Sequence, residues 1–470
     1  MTTALNDKNP YLHGLFAPVR EEATAANLPV IGDIPKDLHG AYFRNGPNPM
    51  SPPKGMHHWF DGDGMVHGIW FENGAARYAN RYVRTADFEA EVDGADPMPG
   101  IFSPAKPVEG RSTVYKDTAN TDLVFHDGRL LALWYISGQP VAIDAANLET
   151  IGVENFSGAL PRNVSAHSKV DPATGEFVFF DYALYEPKMW VGTVSRQGKL
   201  TQFQEIDLPG PRLPHDMGLT EHYVILHDLP VVFTDEALRN RLWQIHVADQ
   251  PTRFGVVPRK GGEPKWFEFP TAYIYHVINA WEEGDDVVMA ACKMVDNGFA
   301  PDSRRYGAYA PMVQVLALRA EPFIWRMNMK TGRGTEERLD GRLSEFPVVN
   351  LGYVGAKTNF SYHVVMDDHV EQRYSGLLKY VLSTGDAIAH QFPKGMFGSE
   401  PAFAPRIDAR GEDDGYVITF VADAATGASE AHVIDARNFS KPPLARVKLP
   451  QRVPAGFHGV WAPGEEIRGS

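Results

Sequence analysis

Leu123-Val124-Phe125-His126-Asp127-Gly128-Arg129-Leu130-Leu131-Ala132-Leu133-Trp134 is the stretch that decides the fold class. Two short apolar runs flank Asp127-Gly128, a pair that accepts the positive φ angles of a tight turn, so the stretch reads as a β-hairpin. The same shape recurs along the chain. Val141-Ala142-Ile143-Asp144 precedes Leu148-Glu149-Thr150-Ile151-Gly152, and Lys169 to Gly175 leads into Phe177-Val178-Phe179-Phe180. Trp325 to Gly332 and His432-Val433-Ile434-Asp435 have the same build. Further β-branched and aromatic runs lie at Met65 to Phe71, Tyr223 to Leu226 and Gly415 to Val421. The 43 glycines and 36 prolines are spread over the whole chain and mark no linker. Recurrent hairpins over most of 470 residues favour an all-β propeller or a large sandwich over an α/β fold, although the repeat is too degenerate to count blades.

Helical pattern is sparse. Thr234-Asp235-Glu236-Ala237-Leu238-Arg239-Asn240-Arg241-Leu242-Trp243 is the best case, with Thr234 as a cap and Leu238 and Leu242 on one face. It follows the apolar Leu229 to Phe233, and reads as a loop helix packed on the body, with a lid or a peripheral membrane contact as the other readings.

Composition excludes several classes. Hydrophobic residues make up 43% and charged residues 22%, as in an ordinary globular protein. The net charge of −14 argues against nucleic acid and anionic membranes as partners. One cysteine, Cys292, excludes an intramolecular disulfide and any thiolate cluster. Its setting in Val287 to Cys292 predicts an inert thiol in a buried strand. The start, Met1 to Lys8, lacks the build of a signal peptide, and no apolar run reaches the roughly 18 residues that span a bilayer. A soluble, cytoplasmic protein is expected.

Seventeen histidines form an enriched set. His126, His222 and His369 have turn-like or polar contexts, and His57, His58 and His67 surround Phe60-Asp61-Gly62-Asp63-Gly64. That last segment lacks the terminal Glu of a calcium loop and reads as a structural turn. Four others, His167, His215, His276 and His458, sit at strand-like starts beside Gly, Pro or small residues. Their intervals of 48, 61 and 182 residues match no local zinc motif. In a propeller, though, distant inner strands point to one axis, so widely spaced imidazoles can converge there.

These contexts carry a resemblance to the carotenoid cleavage oxygenase family, which includes apocarotenoid oxygenases and bacterial stilbene- and phenylpropene-cleaving enzymes. It begins at Leu38-His39-Gly40-Ala41-Tyr42-Phe43-Arg44-Asn45-Gly46-Pro47-Asn48-Pro49. It continues through His58 to His67, Ala119-Asn120-Thr121 and the four histidine contexts, and closes at Leu449 to Pro454 and Gly456-Phe457-His458-Gly459. The resemblance implies a single seven-bladed β-propeller domain over residues 1–470, with loops and helices capping an axial metal site. It further implies a non-haem Fe(II) bound by His167, His215, His276 and His458. Glu345 and Glu400 match the family's supporting carboxylates, for His276 and His458 respectively. The third carboxylate is missing: Tyr135 stands in its place, where a phenol oxygen could accept from His215 but would bring no charge.

The implied reaction is cleavage of a carbon–carbon double bond in an apolar alkene by O2, giving two carbonyl products and needing no organic cofactor. Thr121, Trp134, Tyr135 and Phe60 are expected to border the substrate and O2 pocket. Relatives that cleave phenolic stilbenes and phenylpropenes usually carry Lys-Glu where this chain has Trp134-Tyr135. Losing the lysine removes a cation for a phenolate and shifts the expectation toward an apocarotenoid-type substrate. An aryl alkene of the stilbenoid or phenylpropene type is the alternative. A non-cleaving iron-binding member and a metal-dependent propeller hydrolase are the remaining readings, the latter disfavoured by the histidine motifs.

Overall fold

Asp127 and Gly128 both adopt positive φ, +46° and +80°, and join strand Asp122–His126 to Arg129–Leu133 in antiparallel register. The computed structural model describes residues 9–53, 55–98, 100–101, 115–240, 245–295, 319–367 and 371–467. Six further antiparallel sheets, each built on the same out-and-back plan, join this one around a common axis as a seven-bladed β-propeller. The strands read from sequence at 141, 177, 223, 325, 415 and 432 all lie within these blades. Their nearly continuous burial explains why hydrophobic runs, more than alternation, mark the strands: a blade is covered on both faces by its neighbours.

The ring is closed by pairing the two ends of the chain. Gly40–Pro47 pairs with Gly459–Pro463, bringing Tyr42 opposite Trp461, so the last strand is the inner strand of the first blade. Val30–Gly32 in turn pairs with Ala445–Lys448 at the outer edge of the last blade. The motif Phe43-Arg44-Asn45 lies at the first junction. The Arg44 Nη2 donates to Pro454 O at 2.7 Å, the Asn45 N–H donates to His458 O at 2.9 Å, and the Asn45 side chain donates to Ala119 O at 2.8 Å. A Cβ on Gly456 would lie 1.7 Å from Arg44 Nη1 and 3.0 Å from Asn45 O, so a larger residue at that crossing would have to displace the buried guanidinium.

Seven strands face the axis: Asp122–His126, Lys169–Val170, Gly218–Leu219, Ile274–Glu283, Ser344–Val348, Ala402–Pro405 and Gly459–Pro463. Each begins at the same end of the ring, beside one polar residue singled out from sequence: Thr121, His167, His215, His276, Glu345, Glu400 and His458. The fold thus converts seven distant positions into one cluster.

The helix expected over 234–243 is present at Asp235–Asn240, with the Thr234 hydroxyl accepting from the Ala237 N–H at 3.0 Å; residues 241–244 lie outside the described set. A two-stranded hairpin, Val231–Phe233 with Ile245–Val247, frames it. Phe233 and Ala237 are buried in the same apolar cluster as Tyr135, Tyr182 and Leu213, so the insertion packs on the metal end of the ring. Among the described residues no helix is long and apolar enough to cross a membrane. Cys292 is fully buried in strand Asp286–Met294, and burial pushes its thiol well up, as suits an inert core group.

Candidate metal centre

His167, His215, His276 and His458 converge at the head of the axis, with one nitrogen from each inside a 4.8 Å span, and all four are buried. Ring centroids lie 4.4 Å apart for His167 and His458, 4.6 Å for His276 and His458, and 4.8 Å for His167 and His215. His167 holds a left-handed φ of +65°, and its N–H donates to Asp122 Oδ2 at 2.9 Å. A β-carbon-bearing residue in that conformation costs about 1–3 kcal/mol, a cost the site sustains to turn this imidazole inward.

Burial, with the neighbouring imidazoles, holds His167 and His215 well below the ordinary histidine value; burial and His458 do the same for His276. These three rings are therefore neutral, the form in which imidazole binds a metal. His458 is also pulled down by burial, but Glu400 outweighs that and leaves it raised. The Nε2 atoms of His167 and His276 are buried and bonded to nothing. Two unpartnered nitrogens within a cluster of four are costly unless a cation takes their lone pairs. The residues present therefore fit a metal ion.

Behind two of the rings stand carboxylates. Glu345 pairs through Oε2 with His276 Nδ1 and also accepts from the Phe346 N–H. Glu400 Oε1 lies 2.9 Å from His458 Nδ1, and its other oxygen accepts from the Gly459 N–H. Burial pushes Glu345 up to about 8 and raises Glu400, because neither has an Arg or Lys partner. Such carboxylates orient the imidazole and raise its basicity toward a cation.

His215 is supported differently. Among the described residues no carboxylate bonds to its ring. Tyr135 meets it ring to ring at 5.9 Å between centroids, and Tyr275 meets it edge-on at 4.8 Å. Phe60 lies 5.0 Å from Tyr135, and Trp134 packs against Tyr135's other edge at 6.3 Å. The Trp134 ring, however, lines a separate small cavity with His57, Asp61 and Lys116, one layer out from the histidines. Thr121 is committed to the strand: its hydroxyl donates to Asn120 Oδ1 at 3.0 Å and accepts from the Tyr135 N–H at 3.2 Å, and its carbonyl accepts from the His458 N–H. His57, His58 and His67 stay outside the cluster; His58 caps a short 3-10 turn at Trp59–Asp61, as the structural reading required.

Other residues at the site carry no sequence signal beyond adjacency to a histidine or glutamate. Asp216, next to His215, accepts from Lys169 Nζ and from the Met217 and Val277 N–H groups, all at 2.7 Å. Phe346, next to Glu345, lies 4.9 Å from His276 and 5.1 Å from His458.

A four-histidine axial centre with buried carboxylates behind it, on a seven-bladed propeller, can be compared with known proteins. The family model described as retinal pigment epithelial membrane protein matches residues 16–463. The chain belongs to the carotenoid cleavage oxygenase family. A carotenoid 9,10(9',10')-cleavage dioxygenase of Arabidopsis thaliana is 34% identical, over 97% of this chain and 90% of the relative. Among solved structures, the lignostilbene dioxygenase of Pseudomonas brassicacearum superposes with a TM-score of 0.85 at 28% identity, covering 97% of this chain and 98% of the other. A cobalt-substituted apocarotenoid oxygenase of Synechocystis gives 0.81 at 26%, covering 97% and 99%. Family membership and the buried four-histidine cluster together imply a metal site in this carotenoid cleavage oxygenase.

Proposed function

We propose that the chain is a non-haem Fe(II) dioxygenase that cleaves one carbon–carbon double bond of an apocarotenoid-type alkene, giving two carbonyl products. The convergence of four buried imidazoles, three of them held neutral by burial, carries this reading. His167, His215, His276 and His458 would hold the iron, and Fe(II) held by these nitrogens would supply the O2 chemistry. The chain's own residues do the rest. Glu345 and Glu400 fix the His276 and His458 rings through their Nδ1 atoms, leaving Nε2 for the metal. Asp122 holds the His167 backbone in its strained turn. Phe346 and Tyr275 cover ring faces and edges and keep water away from them.

The substrate class rests on Phe60, Trp134 and Tyr135. Phe60 and Trp134 each meet Tyr135, which in turn meets His215, and none of the three is a cation that would favour a phenolate. Aromatic rings meeting at tilted and edge-on angles in this way suit an extended, uncharged polyene. A second reading, cleavage of a stilbenoid or phenylpropene, is favoured by the close superposition on the lignostilbene dioxygenase. The test is O2 uptake by Fe(II)-loaded protein with mass analysis of products, against a medium-length apocarotenal and a 4-hydroxystilbene. Cleavage of the polyene is the expected outcome. Cleavage of the stilbene alone would select the second reading, and O2 uptake with neither would overturn both.

A further inference from the structure

The four histidines have two unlike sides. On one side they meet rings, Tyr135, Tyr275 and Phe346. Toward the propeller's interior they open on a cavity of about 600 Å³ that follows the axis. None of those three rings lines it, whereas His167, His276 and His458 do. Its walls are the inner strands themselves, and its far mouth is at Asp127, Glu465 and Glu466, all exposed. From Asp122 at the histidine end to Asp127 at the mouth is five residues of one strand, about 17 Å at roughly 3.3 Å per residue.

Seven carboxylates line this cavity against two cations, Lys169 and Arg196. Lys169 is already neutralised by Asp216 at 2.7 Å, and Asp171 by Arg259 at 2.7 Å. The excess is negative at both ends, with Glu465, Glu466 and Asp127 outside and Asp122 and Glu400 beside the histidines. Such a lining concentrates cations and would repel the anions that a cationic channel gathers. At its inner end wait the buried Nε2 atoms of His167 and His276, which have no partner. An acidic wall alone would mean little; one that ends on unpartnered imidazole nitrogens has a cation as its natural occupant.

We infer that the axial cavity is the loading route of the metal ion, which enters from the propeller face opposite the aromatic side and passes the Glu465–Glu466 mouth to reach the histidines. This rests on the metal-site reading above and adds the path. A hydrated divalent ion keeps its charge screened by carboxylates and water along this path, whereas Tyr135, Tyr275 and Phe346 on the other side present ring faces and edges to it. Apolar substrate and cation would then use opposite ends of the ring and need not exchange places.

The test uses full-length protein stripped of metal by a chelator, with Co(II) as the probe and its visible absorption as the readout of loading rate. Glu465→Gln/Glu466→Gln is expected to slow loading about 3- to 10-fold at low salt, with the difference closing near 0.5 M salt and the final stoichiometry unchanged. Val348→Trp, which places a bulky side chain in the cavity wall, is expected to slow loading more and without salt dependence. If Val348→Trp fails to fold, the charge-reversed Glu465→Lys/Glu466→Lys variant replaces it, with a larger low-salt effect expected. Unchanged rates in the charge and wall variants overturn the route, as does loading that is blocked only by saturating apolar alkene. Failure of the unaltered protein to take up Co(II) at all would overturn the metal-site reading instead.

Discussion

Glu345 on the axis and Glu430 in the outer strands are the same side chain in opposite electrostatic settings. Glu430 accepts two bonds from Arg446, at 2.7 and 2.9 Å, and lies 3.2 Å from His432 Nε2. Those partners pull it down to about 2. Glu283, between Lys357 and Arg326, is held at about 2 in the same way. Glu345 has no cationic side chain; burial pushes it up to about 8, and its Oε1 is bonded to nothing. Glu430 and Glu283 are thus neutralised by cations of the chain itself, whereas Glu345 and Glu400 have no Arg or Lys partner. A fold that can place an arginine against Glu430 yet leaves Glu345 and Glu400 with imidazoles and backbone N–H groups but no Arg or Lys has left room for a positive charge that the polypeptide does not supply. That contrast is the physical content of the metal centre.

The contrast is broken most directly at His276. His276→Ala is expected to reduce bound metal from one per chain to none while leaving the circular dichroism of the propeller unchanged, because the ring is closed elsewhere, between Gly40–Pro47 and Gly459–Pro463. Metal analysis after gel filtration checks it, and retention of one ion per chain would sink the assignment. Glu345→Gln should come next, with metal affinity weakened about 10- to 100-fold at an intact site, the usual effect of losing a carboxylate behind a metal-bound imidazole. The readout is competition against a chelator. The same substitution at Glu430 should leave metal affinity alone, which separates the two settings.

Much of this was legible in the chain because blades are local. The Asp127-Gly128 turn and the hairpins after it are set by neighbours in sequence, and so the strands could be read directly. The four histidines could be read only through the motifs around them, since spacings of 48, 61 and 182 residues say nothing until a ring closes. What brings them together is non-local: the last strand entering the first blade, and seven inner strands starting at one end. Asp122, Asp216 and Phe346 could not be singled out, because an aspartate or phenylalanine beside a histidine or glutamate is ordinary until the strand direction is known. At Tyr135 a phenol oxygen could accept from His215, or another acceptor could stand there; in the structure the two rings lie 5.9 Å apart between centroids.

Tyr135 also allows the contrast to be sharpened. Tyr135→Glu would set a carboxylate beside the one ring among His215, His276 and His458 that lacks it, adding negative charge to a centre that binds a cation. A several-fold gain in metal affinity is expected, smaller than the Glu345→Gln loss because His215 is already positioned by Tyr275. Chelator competition checks this too, and a loss of affinity would mean that His215 relies on the aromatic packing itself.

The smallest effect is expected at Glu430, and its sign identifies it. Its folded pKa of about 2 lies below the ordinary glutamate value of 4.5, so the ionised form is favoured by folding. The stabilisation is therefore complete above 4.5 and is lost as pH falls from there toward about 2. The partner Arg446 is partly exposed, and a pair of this kind contributes no more than about 1 kcal/mol. Glu430→Gln should then lower the melting temperature by about 1 °C at pH 7, with the gap to the unaltered protein narrowing below pH 4.5 and vanishing near pH 2. A gap that widened on acidification would show that the variant had lost something other than an ion pair. A change in metal content would show that outer and axial carboxylates are not independent, and would undo the separation on which the reading of Glu345 depends.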